Sequence, residues 1–265
     1  MRFRPYILSA ILLVCGLPAA HGQDLRTGIP TAEGRFLAAG DCLAWLDAEG
    51  ETVRIRPLER PFTSLAAGKD GLYALDEDGL ELIKLNLDGA IMGLVSLPVQ
   101  GRLCDLAVDG NTLWAVTDTG EILHGSEASG WTVLDFNAQY AGYYPQISFR
   151  AIATGGGSIM VAGVRPDGMP ATFTSSRGTV WSERTLDYSE QGRPCVFSAE
   201  VTDLSYDPRQ DRFYLLGSGG VQLALPGCSH CNSLTRYPTD TLYARIPSDA
   251  GALLLGSDGF RRTEP

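Results

Sequence analysis

Six times along this chain a short apolar run is followed by a polar turn, a second apolar run, and a turn built on glycine or Asp-x-Gly. The first copies are Leu37-Ala38-Ala39-Gly40 with Leu43-Ala44-Trp45-Leu46, Leu65-Ala66-Ala67-Gly68 with Leu72-Tyr73-Ala74-Leu75, and Leu106-Ala107-Val108 with Leu113-Trp114-Ala115-Val116. The later ones are Ile152-Ala153-Thr154 with Ile159-Met160-Val161-Ala162, Leu204-Ser205-Tyr206 with Phe213-Tyr214-Leu215-Leu216, and Ile246-Pro247 with Leu253-Leu254-Leu255. Runs rich in Val, Ile, Leu, Tyr and Trp, bounded by Gly, Asp, Asn or Pro, are strand-and-turn chemistry. No long segment carries the 3.6-residue apolar period of a helix. A repeated unit that cannot bury its own apolar faces must stack on its neighbours, and a closed ring of such units leaves few exposed edges. The pattern predicts an all-β fold, a single β-propeller of six four-stranded blades, with five or seven blades as alternatives.

The second apolar runs begin at Leu43, Leu72, Leu113, Ile159, Phe213 and Leu253, giving steps of 29, 41, 46, 54 and 40 residues. Propeller blades repeat at roughly 40 to 50 residues, so the first step is short. Phe260 to Glu264 leaves the last unit unfinished, and a strand around Thr27 to Thr31 is expected to complete that final blade and close the ring. Within unit two, Leu80 to Leu85 turns at Asp88-Gly89 and returns as Ile91 to Leu97. Within unit four, Ala171 to Thr174 turns at Arg177-Gly178 and returns as Val180 to Leu186.

The N-terminus reads as a targeting segment. Arg2 and Arg4 precede an apolar stretch from Ile7 to Leu17, and Ala20-His21-Gly22 supplies small residues where a signal peptidase cuts. Residues 1–22 are expected to be a signal peptide and 23–265 the propeller domain, periplasmic or secreted, with no membrane insertion after cleavage. An uncleaved anchor and lipidation at Cys15 are the alternatives. Losing Arg2 and Arg4 takes the formal charge from −10 to −12. That acidity argues against a nucleic-acid partner, which needs Lys and Arg to replace counterions. Of six cysteines, Cys42, Cys104, Cys195, Cys228 and Cys231 survive cleavage, an odd number. The expected disulfide joins Cys195 to Cys228 or Cys231, with Cys42 and Cys104 as buried thiols.

Two turns carry a family resemblance. Thr174-Ser175-Ser176-Arg177-Gly178-Thr179-Val180-Trp181 resembles the Asp-box turn S-x-D-x-G-x-T-W, and Ser126-Glu127-Ala128-Ser129-Gly130-Trp131-Thr132-Val133 resembles a second. Ser176 and Ala128 stand where the aspartate belongs. The chain is similar to exported propellers with bacterial-neuraminidase (BNR, sialidase-like) repeats and to photosystem-assembly-factor-like propellers. In those families the Asp-box is a structural turn away from any active site, so the resemblance implies fold and no catalysis.

Candidate chemistry is sparse. The residues just before each first run are Phe36, Ser64, Asp105, Ala151, Asp203 and Arg245, with Arg150 beside the fourth. Asp105, Asp203 and Arg245 are expected either to line an axial polar site or to pair as ordinary strand-end contacts. Gly227-Cys228-Ser229-His230-Cys231-Asn232 lacks the helix of a redox Cys-x-x-Cys and the ligand set of a zinc site, which leaves a structural disulfide. His124 and His230 belong to no triad or metal motif, and no G-x-S-x-G or H-E-x-x-H is present. Tyr243-Ala244-Arg245-Ile246-Pro247 resembles the sialidase arginine motif but lies at the wrong end of the chain. An insert in unit three, Asp135 to Gln139 with Tyr140, Tyr143 and Tyr144, offers rigid amphipathic side chains of the kind enriched at interfaces. The expectation is a non-catalytic binding or assembly scaffold for a protein partner in the cell envelope, with a glycan as a further ligand and no cofactor or metal. The alternative is a glycan- or lactone-directed hydrolase or lyase using Asp105 and Asp203.

Overall fold

In the computed structural model, residues 24–31, 34–69, 71–227, 232–249 and 251–264 are described. Blade 1 comprises β1 (Leu25–Pro30), β2 (Phe36–Gly40), β3 (Cys42–Leu46) and β4 (Thr52–Pro57). Blade 2 comprises β5 (Phe62–Gly68), β6 (Gly71–Asp76), β7 (Leu82–Leu85) and β8 (Ile91–Val95). Blade 3 comprises β9 (Leu103–Asp109), β10 (Thr112–Thr117), β11 (Glu121–Ser126) and β12 (Gly130–Asp135), followed by helix α1 (Phe136–Gln139). Blade 4 comprises β13 (Ser148–Gly155), β14 (Ser158–Val164), β15 (Pro170–Ser175) and β16 (Ser182–Arg184). A separate hairpin, β17 (Asp187–Glu190) and β18 (Arg193–Val196), leads into blade 5. That blade comprises β19 (Val201–Asp207), β20 (Arg212–Gly217), β21 (Val221–Pro226) and β22 (Ser233–Arg236). Blade 6 holds β23 (Leu242–Ser248), β24 (Gly251–Gly256) and β25 (Arg261–Glu264) among the described residues.

The molecule is a six-bladed β-propeller. Each blade is an antiparallel meander, and the inner strands β1, β5, β9, β13, β19 and β23 pack in sequence, with β23 returning against β1. The core is divided between the blades, each apolar layer drawing residues from two neighbours. Ile83 and Leu85 of blade 2 pack with Leu37 and Leu43 of blade 1, and Leu82 packs with Leu113 and Leu123 of blade 3. Closure layers Leu25, Phe36, Ala38 and Leu46 against Ile246, Leu253 and Leu255.

Closure differs from the expectation in one respect. The N-terminal strand does not complete blade 6; it pairs with β2 as the innermost strand of blade 1. The Leu37-Ala38-Ala39 run, read as a first strand, is therefore a second strand. This explains the short step of 29 residues: Leu43 lies in a third strand, and Leu72 lies in a second. The ring is sealed by packing, and the Arg261 guanidinium donates to Thr52 Oγ1 (2.9 Å) across the seam.

Candidate functional site

Every inner strand is irregular at the same place. Pairing with the second strand skips one residue at Arg26, Thr63, Cys104, Arg150, Thr202 and Tyr243. A bulge re-aims the side chain beside it, and the residues immediately after these bulges are Thr27, Ser64, Asp105, Ala151, Asp203 and Ala244. Four of them reach the backbone of the following blade. Leu65 N donates to Thr27 Oγ1 (3.1 Å), Leu106 N to Ser64 Oγ (3.1 Å), Ile152 N to Asp105 Oδ2 (2.8 Å), and Arg245 N to Asp203 Oδ2 (3.3 Å). These bonds form a belt around the axis, interrupted where alanine follows the bulge, at Ala151 and Ala244.

Asp105 and Asp203 flank blade 4 in this belt. Asp105 accepts from Ser64 Oγ (2.7 Å) as well as from Ile152 N, so its two oxygens join blades 2 and 4. Both carboxyl groups are half-buried in the ring. Burial pushes the Asp105 carboxyl up to about 6, against the pull of its hydrogen bonds to Ile152 and Ser64. Burial and then the charge of Asp105 push Asp203 up to about 8. Both carboxyl groups are therefore held on the protonated side of the ordinary carboxylate range, and they titrate as a coupled pair.

Arg245 does not line the axis. It occupies the position held by Leu65, Leu106, Ile152 and Leu204 in other blades, one residue past the belt, so its side chain turns into the seam between blades 5 and 6. There its guanidinium bonds Asp207 Oδ2 (2.7 Å), with both side chains 1% exposed, and lies 3.9 Å over the Tyr214 ring. Phe36 is likewise off the axis, in the second strand of blade 1. The repeat pattern passes over Thr27 because it places that strand in the last blade rather than in blade 1. Thr-Gly-Ile after an arginine was the available signal.

The insert between blades 3 and 4 contains the short helix α1, capped by Asp135, whose side chain accepts from Ala138 N. Asn137 holds the insert closed: Nδ2 donates to Thr119 O (2.8 Å) and Ile147 O (3.0 Å), and Oδ1 accepts from Ile147 N (2.8 Å). Tyr140 and Tyr144 are half-buried against Phe136 and the blade 4 core residue Phe173. The Tyr140 hydroxyl accepts from Trp181 N (2.9 Å), and that of Tyr144 from Glu183 N (3.4 Å). Only Tyr143 of the three points outward, at 83% exposure.

Beside the insert, a cleft of about 1030 Å³ opens between blades 3 and 4. Its walls carry Arg150 and Arg165 opposite Asp118, Glu121 and Asp135. Glu121 belongs to the wall's own construction, because its Oε2 accepts from Gln100 N and Gly101 N (both 2.9 Å) and from the hydroxyls of Thr117 and Thr119 (both 3.2 Å). The two arginines leave the cleft a mixed-charge surface in a chain that is otherwise acidic.

Cys195 sits on β18 opposite Tyr188 and forms no disulfide with another described cysteine. Its expected disulfide partners, Cys228 and Cys231, lie with His230 outside the described residues, as do residues 1–23 and the cleavage site assigned to them. Asn232, directly after the cysteine loop, donates to the carbonyls of Thr185 (3.2 Å) and Asp187 (2.8 Å), which brings that loop's end beside the hairpin. Both Asp-box-like segments form hairpin turns. Ser175 Oγ accepts from Gly178 N (2.8 Å) and Trp181 Nε1 donates to Gly178 O (3.2 Å), while Ser126 Oγ accepts from Ser129 N (3.1 Å).

No family model and no curated relative matches the chain. Solved propellers do resemble it in shape. The crystal structure of a nidogen/laminin complex aligns with a TM-score of 0.62 at 15% identity, over 83% of this chain and 84% of the other. A catalytically inactive virginiamycin B lyase from Staphylococcus aureus, with quinupristin, aligns at 0.59 and 10% identity over 92% and 85%. The Neurospora crassa Pan2 WD40 domain aligns at 0.53 and 12% over 87% and 71%. Likeness at these identities establishes the β-propeller fold.

Proposed function

We propose that this chain is an exported, non-catalytic binding module that holds a protein partner of the cell envelope across the blade 3–4 cleft, with Tyr143 as the exposed anchor. The observation that carries this reading is the insert itself. Asn137, Tyr140 and Tyr144 fix it to the ring, so Tyr143 stands beside a large mixed-charge cleft on a rigid mount, which lowers the entropy lost on binding. Propellers similar in shape include one solved in a protein complex, the nidogen/laminin pair. The turns at Ser126 and Thr174 support placing the chain beside BNR-repeat propellers. Tyr143→Ala should weaken capture of the partner at least about tenfold with an unchanged melting temperature. A photocrosslinker at position 143, used in the native envelope, should yield one discrete protein adduct that a crosslinker at Leu87 does not. Absence of such an adduct overturns the proposal. Export is tested separately: the N-terminus of the protein recovered from the envelope fraction should begin near Gln23, and an intact Met1 there refutes cleavage.

The second reading, a hydrolase or lyase acting on a glycan or lactone, draws support from the axial pair, in which one carboxyl group is poised to donate a proton and the other to accept one. Against it stands the use of Asp105 Oδ1 and Oδ2 as acceptors within the belt. Turnover of a glycan or lactone panel that is lost on Asp105→Asn would favour this reading over the first.

A further inference from the structure

The chain has two lysines against nineteen arginines, and both lysines meet in one cleft. The cleft, about 370 Å³, lies between blades 2 and 3 and is rimmed by the β5–β6, β9–β10 and β11–β12 turns. Those turns are on the opposite face of the ring from the blade 3–4 cleft, which is walled by interblade loops and second-to-third-strand turns. Val108 and Leu113 line the cleft, together with Tyr73 and Trp131.

Both aromatic rings are seated on glycine. A Cβ built at Gly68 would stand 2.8 Å from the Tyr73 ring, and one at Gly125, where φ is +152°, would stand 3.0 Å from the indole of Trp131. A larger residue at Gly68 would press on the Tyr73 ring, and at Gly125 it would also meet the Gly130 carbonyl, so both glycines keep the strands and the two rings close together. Lys84 Nζ lies 6.0 Å from the Tyr73 ring centroid and bonds both oxygens of Glu127 (3.2 and 3.3 Å). Lys69 is exposed on the β5–β6 turn at the rim. Asn111 and Ser126 add an amide and a hydroxyl. The volume, the aromatic walls and the few convergent polar groups are those of a small-molecule site.

We propose that this cleft binds a small ring bearing a carboxylate, its face against Trp131 and Tyr73 and its charge between Lys69 and Lys84. Each ammonium is a compact charge with rotatable donors on a flexible stem, so the two lysines can approach a carboxylate from different sides without a fixed fork geometry. Glu127 acts as a built-in competitor, since it holds Lys84 in the way the ligand's carboxylate would. The site is independent of the function proposed for the other face.

The mature chain is titrated with glucuronate, benzoate and glucose while the indole N–H resonance of Trp131 is followed. The expected result is saturable perturbation by a carboxylate and at least about tenfold weaker binding of neutral glucose. Lys69→Gln should weaken carboxylate binding about fivefold, and Glu127→Gln should tighten it by a similar factor. Preference for glucuronate identifies a sugar acid, and preference for benzoate an aromatic acid. No perturbation by either carboxylate overturns the proposal, as does equal binding of glucose or a Glu127→Gln variant that binds more weakly.

Discussion

Two seams of the ring differ in what they add to their apolar layers. Between blades 3 and 4 the filling is aromatic: Phe136, Phe149, Phe173 and Trp181 interlock, and Tyr140 and Tyr144 lie over them from the insert. Between blades 5 and 6 a buried ionic set lies beside a smaller apolar one of Leu216, Leu242 and Leu254: Arg245 pairs with Asp207 and lies 3.7 Å from Glu264 while stacking on Tyr214, and the Tyr237 hydroxyl bonds Glu264 and accepts from Gln222 Nε2 (3.3 Å). The aromatic seam gains by area and shape, so it tolerates loss of one hydroxyl. The ionic seam balances large desolvation costs against a few well-aimed bonds, so loss of one partner should be far more damaging than replacement of the whole set.

Arg245→Ala gives the largest expected effect. It leaves Asp207 Oδ2 without its guanidinium partner at a site 1% exposed, a situation that costs about 3–5 kcal/mol. The paired change Arg245→Leu with Asp207→Val restores the apolar residue other blades use there, and should recover most of that loss in chemical denaturation. If the double variant is as unstable as Arg245→Ala, the ionic seam contributes more than its mutual compensation and the contrast drawn above fails.

Tyr140→Phe probes the aromatic seam at lower stakes. The ring and its packing on Phe136 stay, while Trp181 N loses its acceptor at 2.9 Å. The expected cost is about 1 kcal/mol, at the low end for a partly exposed unsatisfied donor. A cost comparable with Arg245→Ala would mean that the insert is held by its hydrogen bonds and not by its aromatic faces.

The contrast between the seams also marks what could be read from the sequence. Apolar alternation showed the strands, and Asp88-Gly89 and Arg177-Gly178 marked their turns, because both signals are local. Asp105, Ser64 and Asp203 were found at the belt because each sits directly before an apolar run. Arg245 was misplaced by one residue because Ala244-Arg245-Ile246 offers no leucine at the expected register, and the substitution that makes the ionic seam is the very thing that breaks the pattern. Tyr140 and Tyr144 read as recognition residues because a loop's composition does not reveal which rings fold back. Their acceptor roles depend on Trp181 and Glu183, about 40 residues away. Lys69 on the β5–β6 turn, Lys84 on β7 and Trp131 on β12 likewise belong to separate segments that only the ring brings together.

The belt crosses both seams and gives the smallest and most specific effect, a pH dependence. Burial and the charge of Asp105 push Asp203 up to about 8, and burial pushes Asp105 up to about 6, both well above an unfolded aspartate. The folded state therefore binds more protons than the unfolded state across that interval, and stability must fall as pH rises. The contribution is fully present below the unfolded carboxylate value and lost as pH passes through about 6 and then about 8. Wild-type melting temperature should decline from pH 5 to pH 9. Asp203→Asn keeps an acceptor for Arg245 N and removes the second charge, so its melting temperature should be flatter across the upper half of that range and exceed wild type at pH 9. Asp207→Asn, in the ionic seam, should destabilise without flattening the profile. A wild-type profile that rises with pH would show that the two carboxyl groups are solvated independently, and that the belt does not confine them together.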